Sequence, residues 1–405
     1  MAQEKELLNR RQFIAQSAAA TSSFAIVKPS AVRGSAANSR VEVGCIGLGG
    51  RGSLIARMLS EHEGFQITSA ADYFPEVVES IGEKLGVPRR RRFCGLSGYK
   101  GLLASKVDAV FCETPPCFFG EHVTAAVSAG SHVYLAKPVA CDVTGCLAIL
   151  EAAKKASRNK QVVLVDFQTR TEPFIIEAVK RTHSGLIGKL AMISSFYTDD
   201  GFSDPPLTDN IESRLQRLIW VNDIAIGGGQ LVAAGIHAID VALWIAGAHP
   251  ISAVGCSRTA RSNPHGDAAD VYSFTYQFEN GLIQNHREEH LPNTHGFNCT
   301  CMAFGQDGHA LTNYAGNVMV RGNKGGYRGG EVTNLYNNGI KRNLDTFCHS
   351  IVNGVYDNPT VEPSVNATLA CILGREAAKR KTRLTWDEMV RANERIEVDL
   401  TGLKA

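Results

Sequence analysis

The sequence predicts an α/β protein in two parts: a parallel, doubly wound sheet, then a second part built on an antiparallel sheet with one covered face. Three observations carry this. An apolar run at 41–46 feeds straight into Gly47-Leu48-Gly49-Gly50-Arg51-Gly52, after which Leu54, Ile55, Met58 and Leu59 fall at helical spacing. Apolar runs of strand length then alternate with helical segments as far as residue 165, the order that builds a parallel sheet through right-handed crossovers. Beyond Gly188 the texture changes to two-residue alternation. It is clearest in Tyr272, Phe274, Tyr276 and Phe278, whose rings share one face while Ser273, Thr275 and Gln277 share the other.

The chain of 405 residues opens with an address. Arg10-Arg11-Gln12-Phe13-Ile14 precedes a mildly apolar, Ala- and Ser-rich stretch at 15–27 and small residues at 34–37. This predicts a twin-arginine export signal over 1–37, cleaved near Ala36 or Ala37, and a periplasmic or otherwise exported mature protein. That route carries folded proteins, so a cofactor would travel inside, tightly bound. No later segment is credited with the ~18 continuous apolar residues of a membrane span, and no membrane association is expected after the signal is removed.

Composition narrows the remaining classes. A chain 44% hydrophobic and 20% charged is an ordinary globular one. Lys plus Arg at 42 against Asp plus Glu at 40 leaves +2, too little to draw a polyanion, so no nucleic-acid partner is expected. The basic run 89–92 reads as a solvated loop face. The 11 cysteines form no C-x-x-C pair and lie mostly in apolar runs, as Cys45, Cys112 and Cys371 do, which makes them small buried hydrophobes. Cys299 and Cys301 share one face of an alternating segment and read as structural; no metal site is expected.

The first domain runs from about 40 to 165. Gly47 permits a tight turn, Gly49 lets the backbone approach a pyrophosphate, and Gly52 lets helix and strand pack closely. Gly50 and Arg51 stand at the helix N-terminus, where free N–H groups meet an anion. The second strand, 66–71, ends in Asp72, placed to bond the adenosine ribose hydroxyls. Together these predict a Rossmann dinucleotide site, with NAD favoured over NADP because a 2′-phosphate would meet a carboxylate. Arg51 leaves two readings open, steadying a phosphate oxygen or tolerating a 2′-phosphate. Strands at 107–112, 132–135 and 162–165 follow, with a helix at 123–129 ended by Gly130 and another carrying Leu147, Ile149, Leu150 and Ala153. The remainder, 166–405, forms the second domain, in which 281–287 returns as a strand and helices at 344–352 and 365–378 close the chain. His286 and His290 share a strand face about 13 Å apart, too far for one metal.

The glycine turn, Thr114-Pro115, Lys137-Pro138, and Gly227-Gly228-Gly229 followed by Gly235-Ile236-His237-Ala238-Ile239-Asp240 and Trp244 together resemble the glucose-fructose oxidoreductase and inositol dehydrogenase family, Gfo/Idh/MocA, over nearly the whole mature chain. The resemblance implies a Rossmann domain followed by an α/β domain whose large, mostly antiparallel open sheet makes a homo-oligomer. It implies oxidoreduction of sugars, sugar derivatives or polyols. Thr114, Pro115 and Lys137 would contact cofactor. Lys137 would be the principal acid or base and His237 would orient the substrate hydroxyl, with Gln168 and Arg170 where members contact cofactor or substrate. Asp240, three residues beyond His237 and near the same helix face, reads either as a substrate-binding acid or as a residue of packing and helix solvation. A partly desolvated lysine suits the work, since alcohol oxidation needs a group to take the hydroxyl proton near neutral pH.

The chain departs from the family pattern at Ala136, where Glu is usual; at Phe119, where many members have His; and at Ala233, where an acid usually accompanies the histidine. The expected activity is an exported, NAD-dependent oxidation of a secondary hydroxyl on a sugar or sugar derivative. A redox-neutral glycosidase or epimerase that retains its NAD is the alternative, and a sugar-binding protein with a vestigial cofactor site the third.

Overall fold

β1 (Val41–Ile46) is buried along nearly its whole length and forms the hub of a six-stranded parallel sheet. Around it stand β2 (Phe65–Asp72), β3 (Arg92–Cys94), β4 (Ala109–Cys112), β5 (His132–Ala136) and β6 (Val163–Asp166), in the order β3-β2-β1-β4-β5-β6. This is the Rossmann order, and its reversal between β1 and β4 opens a crevice above their carboxyl ends. The computed structural model describes residues 40–204, 208–216 and 218–405; the export signal expected over 1–37 lies outside them.

Local chemistry explains the sharpest features. Gly47 has φ +86°, and a Cβ there would stand 2.7 Å from the Glu113 backbone, while one on Gly52 would stand 2.1 Å from the Gly47 carbonyl oxygen. Only glycine fits either position. The helix Phe119–Ala129 ends at left-handed Gly130, as its sequence predicts. The helix Val143–Arg158 starts at Asp142, whose carboxylate accepts the Gly145 N–H at 2.7 Å, a cap worth about 1 kcal/mol. β3 escapes the sequence reading because it is too short to show a period. Arg92, read as part of a solvated loop, lies in that strand and pairs with Glu79 at 3.0 Å, whereas Arg89 and Arg90 are exposed.

The second sheet has nine strands: β7 (Leu190–Asp199), β8 (Ser252–Arg258), β9 (Val271–Gln277), β10 (Ile283–His290), β11 (Asn298–Gly305), β12 (Gly308–Asn313), β13 (Asn317–Gly322), β14 (Gly325–Glu331) and β15 (Leu384–Thr385), ordered β14-β13-β12-β11-β7-β10-β9-β8-β15. β7 and β10 run parallel and the other pairs antiparallel. Tyr272, Phe274 and Tyr276 point into the covered face and are buried, where the helix Val361–Arg380 packs on β9, while the helix Ile236–Ala246 packs on β7 and β11. The opposite face exposes Met192, Val254, Ile283 and Phe304.

The run Ile224–Ala246 has the length and mean apolarity of a membrane span, but Gln230, His237 and Asp240 interrupt its apolar residues and 89% of its most apolar stretch is buried. One expectation needs correction. The late helices are longer than 344–352 and 365–378, spanning Leu335–Asn353 and Val361–Arg380. Ile340, Leu344 and Phe347 of the former join the core of Val43, Phe65 and Phe111, so this helix packs back on the first sheet.

Candidate active site

A cavity of about 520 Å³ lies at the switch point, walled by the glycine turn, the strand ends of the first sheet and the segment leading into the helix Ile236–Ala246. Gly47, Gly49, Gly50 and Gly52 all reach it, as do Asp72, Thr114 and Pro115. The helix Gly50–Glu61 starts at Gly49 with no side-chain cap, so its first N–H groups and its dipole face the cavity. Gly49 and Gly50 have open space where a Cβ would stand. Asp72 is fixed by the N–H groups of Leu48 at 2.7 Å and Phe74 at 3.0 Å; burial raises its pKa and these bonds oppose the rise. An uncapped helix start, an open glycine cradle and an oriented carboxylate fit the diphosphate and ribose of a dinucleotide.

Arg51 lines the cavity too, and its side chain is engaged by other protein groups. Its guanidinium turns inward to Glu113 at 3.3 Å and to Asp166, and stacks over Tyr336 at 5.0 Å. Asp166 is fully buried and also accepts hydrogen bonds from Gln168 at 3.1 Å and Asn343 at 2.6 Å. Glu113 was not singled out in the sequence. Burial pushes its carboxyl up to about 7 against the pull of Arg51, and its Oε1 lacks a partner. An acid directly before Thr-Pro at a strand's carboxyl end was the signal available for it.

Lys137 follows β5, joined to Pro138 by a cis peptide bond. Its Nζ donates to the Ala233 carbonyl at 2.6 Å, and burial, helped by Arg51, lowers its pKa to about 8. Ala233 sits in the π-helical turn Leu231–Gly235 that precedes the helix Ile236–Ala246, a distortion frequent at functional sites. His237, one turn on, is buried and lines the cavity, with no partner at Nδ1. Burial first, then Lys137 and Arg51, holds its pKa well below the ordinary value, so the ring is neutral. With alanine at 233 no acid opposes those cations.

Gln168 also lines the cavity, its Oε1 unpartnered. Arg170 and Asp240, expected near substrate, stand outside the cavity wall. They form a multiply bonded ion pair at 2.9–3.0 Å, with Arg170 stacked on Trp244. Although i+3 spacing sets Asp240 near the helix face that presents His237, Arg170 takes its carboxylate and the pair stays out of the cavity. Phe119 is buried. An imidazole is nevertheless present one turn later, where His122 meets the Thr114 hydroxyl at 3.2 Å and burial lowers its pKa to about 4. Beneath the π turn, Glu288 packs against Gly235 and bridges His286 at 3.0 Å and His290 at 2.5 Å. This buried relay does not reach the cavity wall. All 11 cysteines are free thiols, and among the described residues no cluster of ligating side chains is placed to hold a metal.

Residues 41–165 match the family model described as oxidoreductase family, NAD-binding Rossmann fold, and residues 175–308 match the GFO/IDH/MocA C-terminal domain. The chain is 24% identical over 351 residues to an inositol 2-dehydrogenase of Rhizobium meliloti, covering 84% of this chain and 96% of that protein. It is 26% identical over 248 residues to the 2,7-anhydro-N-acetylneuraminate hydratase of Escherichia coli, 60% of each chain. Its fold is shared with an oxidoreductase domain protein from Kribbella flavida, at a TM-score of 0.71 and 19% identity, covering 86% of this chain and 99% of that one. The cradle, the lysine after β5 and the histidine beyond the π turn thus lie on a known scaffold, and the chain belongs to the Gfo/Idh/MocA oxidoreductase family.

Proposed function

We propose that the chain is an NAD-dependent oxidoreductase acting on a secondary hydroxyl of a sugar, sugar derivative or cyclitol. The observation that carries this is Lys137: a buried amine with its pKa lowered to about 8, at the mouth of the cofactor crevice and bonded to a main-chain carbonyl. When bound, NAD supplies the hydride acceptor. Lys137 as free amine takes the hydroxyl proton, and as ammonium returns it to a carbonyl oxygen in the reverse direction. Neutral His237 holds the hydroxyl by hydrogen bonding without competing for the proton. Gln168, tied to Asp166, offers its unpartnered Oε1 to a further hydroxyl. Thr114, Pro115 and the glycine turn position the cofactor, and Asp72 disfavours a 2′-phosphate. The test is purified protein with NAD or NADP over a panel of cyclitols, free sugars and glycosides, followed by nicotinamide absorbance. Reduction with none of them rejects net oxidation.

The redox-neutral reading, with NAD retained through each cycle, is favoured by a specific contact. Tyr73, next to Asp72, donates to Glu212 at 2.7 Å, and Lys404 bonds both, clasping the wall around the adenosine end. NAD released only on denaturation supports retention. Export through Arg10 and Arg11 fits the same reading, since exchangeable NAD is scarce outside the cytoplasm. The apolar face bearing Met192 and Ile283 is proposed as a homo-oligomer contact; Ile283→Glu should lower the mass in sedimentation, and an unchanged mass would reject it.

A further inference from the structure

Outward from His237 the cavity wall turns aromatic. The imidazole stands 5.1 Å from the ring of Tyr314; Tyr314 is 5.7 Å from Phe297, and Phe297 is 5.7 Å from Tyr197. The contacts are edge-on, the arrangement aromatic quadrupoles prefer. Tyr197 comes from β7, Phe297 from the loop before β11 and Tyr314 from the turn after β12, so the sheet assembles them and no sequence period reveals them. All three line the cavity. Tyr197 is packed at 6% exposure, but Phe297 is left at 48%, a ring propped out of the wall by the two behind it.

What would cover that ring follows from the chemistry around it. The proton-handling groups, Lys137 and His237, sit at one end; from Tyr314 outward the wall offers rings, and the Ala233 methyl replaces a possible hydroxyl acceptor. An inositol carries a hydroxyl on every ring carbon, and beyond the C–H faces of its own ring it has no substituent to reach Phe297 while a hydroxyl is held at Lys137 and His237. A free monosaccharide is little better. A glycoside with an aromatic aglycone can place a sugar hydroxyl at Lys137 and His237 and its aglycone two ring-steps away. Resting on the oxidoreductase reading above, we propose that Phe297, backed by Tyr314 and Tyr197, forms an aglycone subsite that selects aryl glycosides over cyclitols and free sugars.

The experiment measures calorimetric binding of matched nitrophenyl and methyl glycosides of glucose, galactose and N-acetylglucosamine to the NAD-loaded protein. An added aromatic contact should make the nitrophenyl member of the pair that binds about tenfold tighter. Phe297→Ala should erase that difference and Phe297→Trp should keep it, with unchanged NAD affinity reporting an intact fold in both. Equal binding within the pair, or a preference that survives Phe297→Ala, overturns the subsite and leaves the oxidoreductase reading standing. Binding of no glycoside while a cyclitol is oxidised overturns the subsite alone, and absence of any sugar or cyclitol binding overturns both.

Discussion

Placing an acid at position 233 should move the pH dependence of the reaction in a direction the structure fixes. The Ala233 side chain lines the cavity, and its carbonyl already holds the Lys137 amine at 2.6 Å. Ala233→Asp would set a carboxylate about 5 Å from the ammonium, worth about 3 kcal/mol at an effective dielectric of about 20, or about two pKa units before the new acid's own burial takes some back. With Lys137 in the proposed role, oxidation requires the free amine, so its rate should climb with pH through about 8 in the native protein. In the variant that limb should lie about 1 to 2 units higher, cutting the rate near neutrality by about 10- to 100-fold and restoring it in alkali. The assay is the pH profile of kcat/KM with each substrate that turns over. A carboxylate there also accepts a hydroxyl, so at each enzyme's optimum polyols should gain and glycosides lose. A limb that stays at its native pH, with neither substrate class affected, would show that position 233 does not face the reacting centre.

Three further outcomes are expected. Asp72→Ala removes a charged acceptor from the ribose, which should weaken NAD by about 10- to 150-fold and NADP much less; equal losses in a binding titration would mean that Asp72 does not read the ribose. Burial lowers the pKa of His290, but Glu288 and Asp199 outweigh it and raise the value to about 9, above the ~6.5 of an unfolded histidine. Its contribution to stability is therefore full below pH ~6.5 and lost as pH rises through ~9, so the melting-temperature gap between native protein and His290→Asn should narrow over that window; a constant gap would mean that His290 stays neutral. Changing Arg10 and Arg11 to Lys should leave full-length protein in the cytoplasm, and undiminished export on immunoblot would mean that another signal is read.

The parts of this molecule that obey a local period are legible in its sequence. The parts that depend on side chains from distant segments are not. Gly47, Gly52 and Asp72 declare a nucleotide turn because backbone geometry at a strand–helix junction admits few residues, and Tyr272, Phe274 and Tyr276 declare their sheet by alternation. Lys137 and His237 come into view through resemblance, and the cavity holds both. Asp166 carries no signal in the sequence, because a lone acid at a strand end looks like a loop cap and, besides nearby Gln168, the partners that converge on it, Arg51 and Asn343, come from distant helices. Arg170 enters the expected site through the resemblance and Asp240 through helical spacing from His237, whereas their mutual ion pair engages them with each other. The π turn at 231–235 adds a residue to the helical repeat, so phase counted back from His237 could not show that the Ala233 carbonyl, rather than a side chain, receives Lys137.

The central claim is that Lys137 handles the proton in a site that binds NAD independently of it. The direct measurement is Lys137→Ala, with NAD affinity by titration and turnover of the best substrate on the same preparation. Turnover should fall by about 10²- to 10⁴-fold while NAD still binds, and the alkaline rise through about 8 should vanish from what activity remains. Near-native turnover with the pH limb intact would place the acid–base group elsewhere and contradict the account.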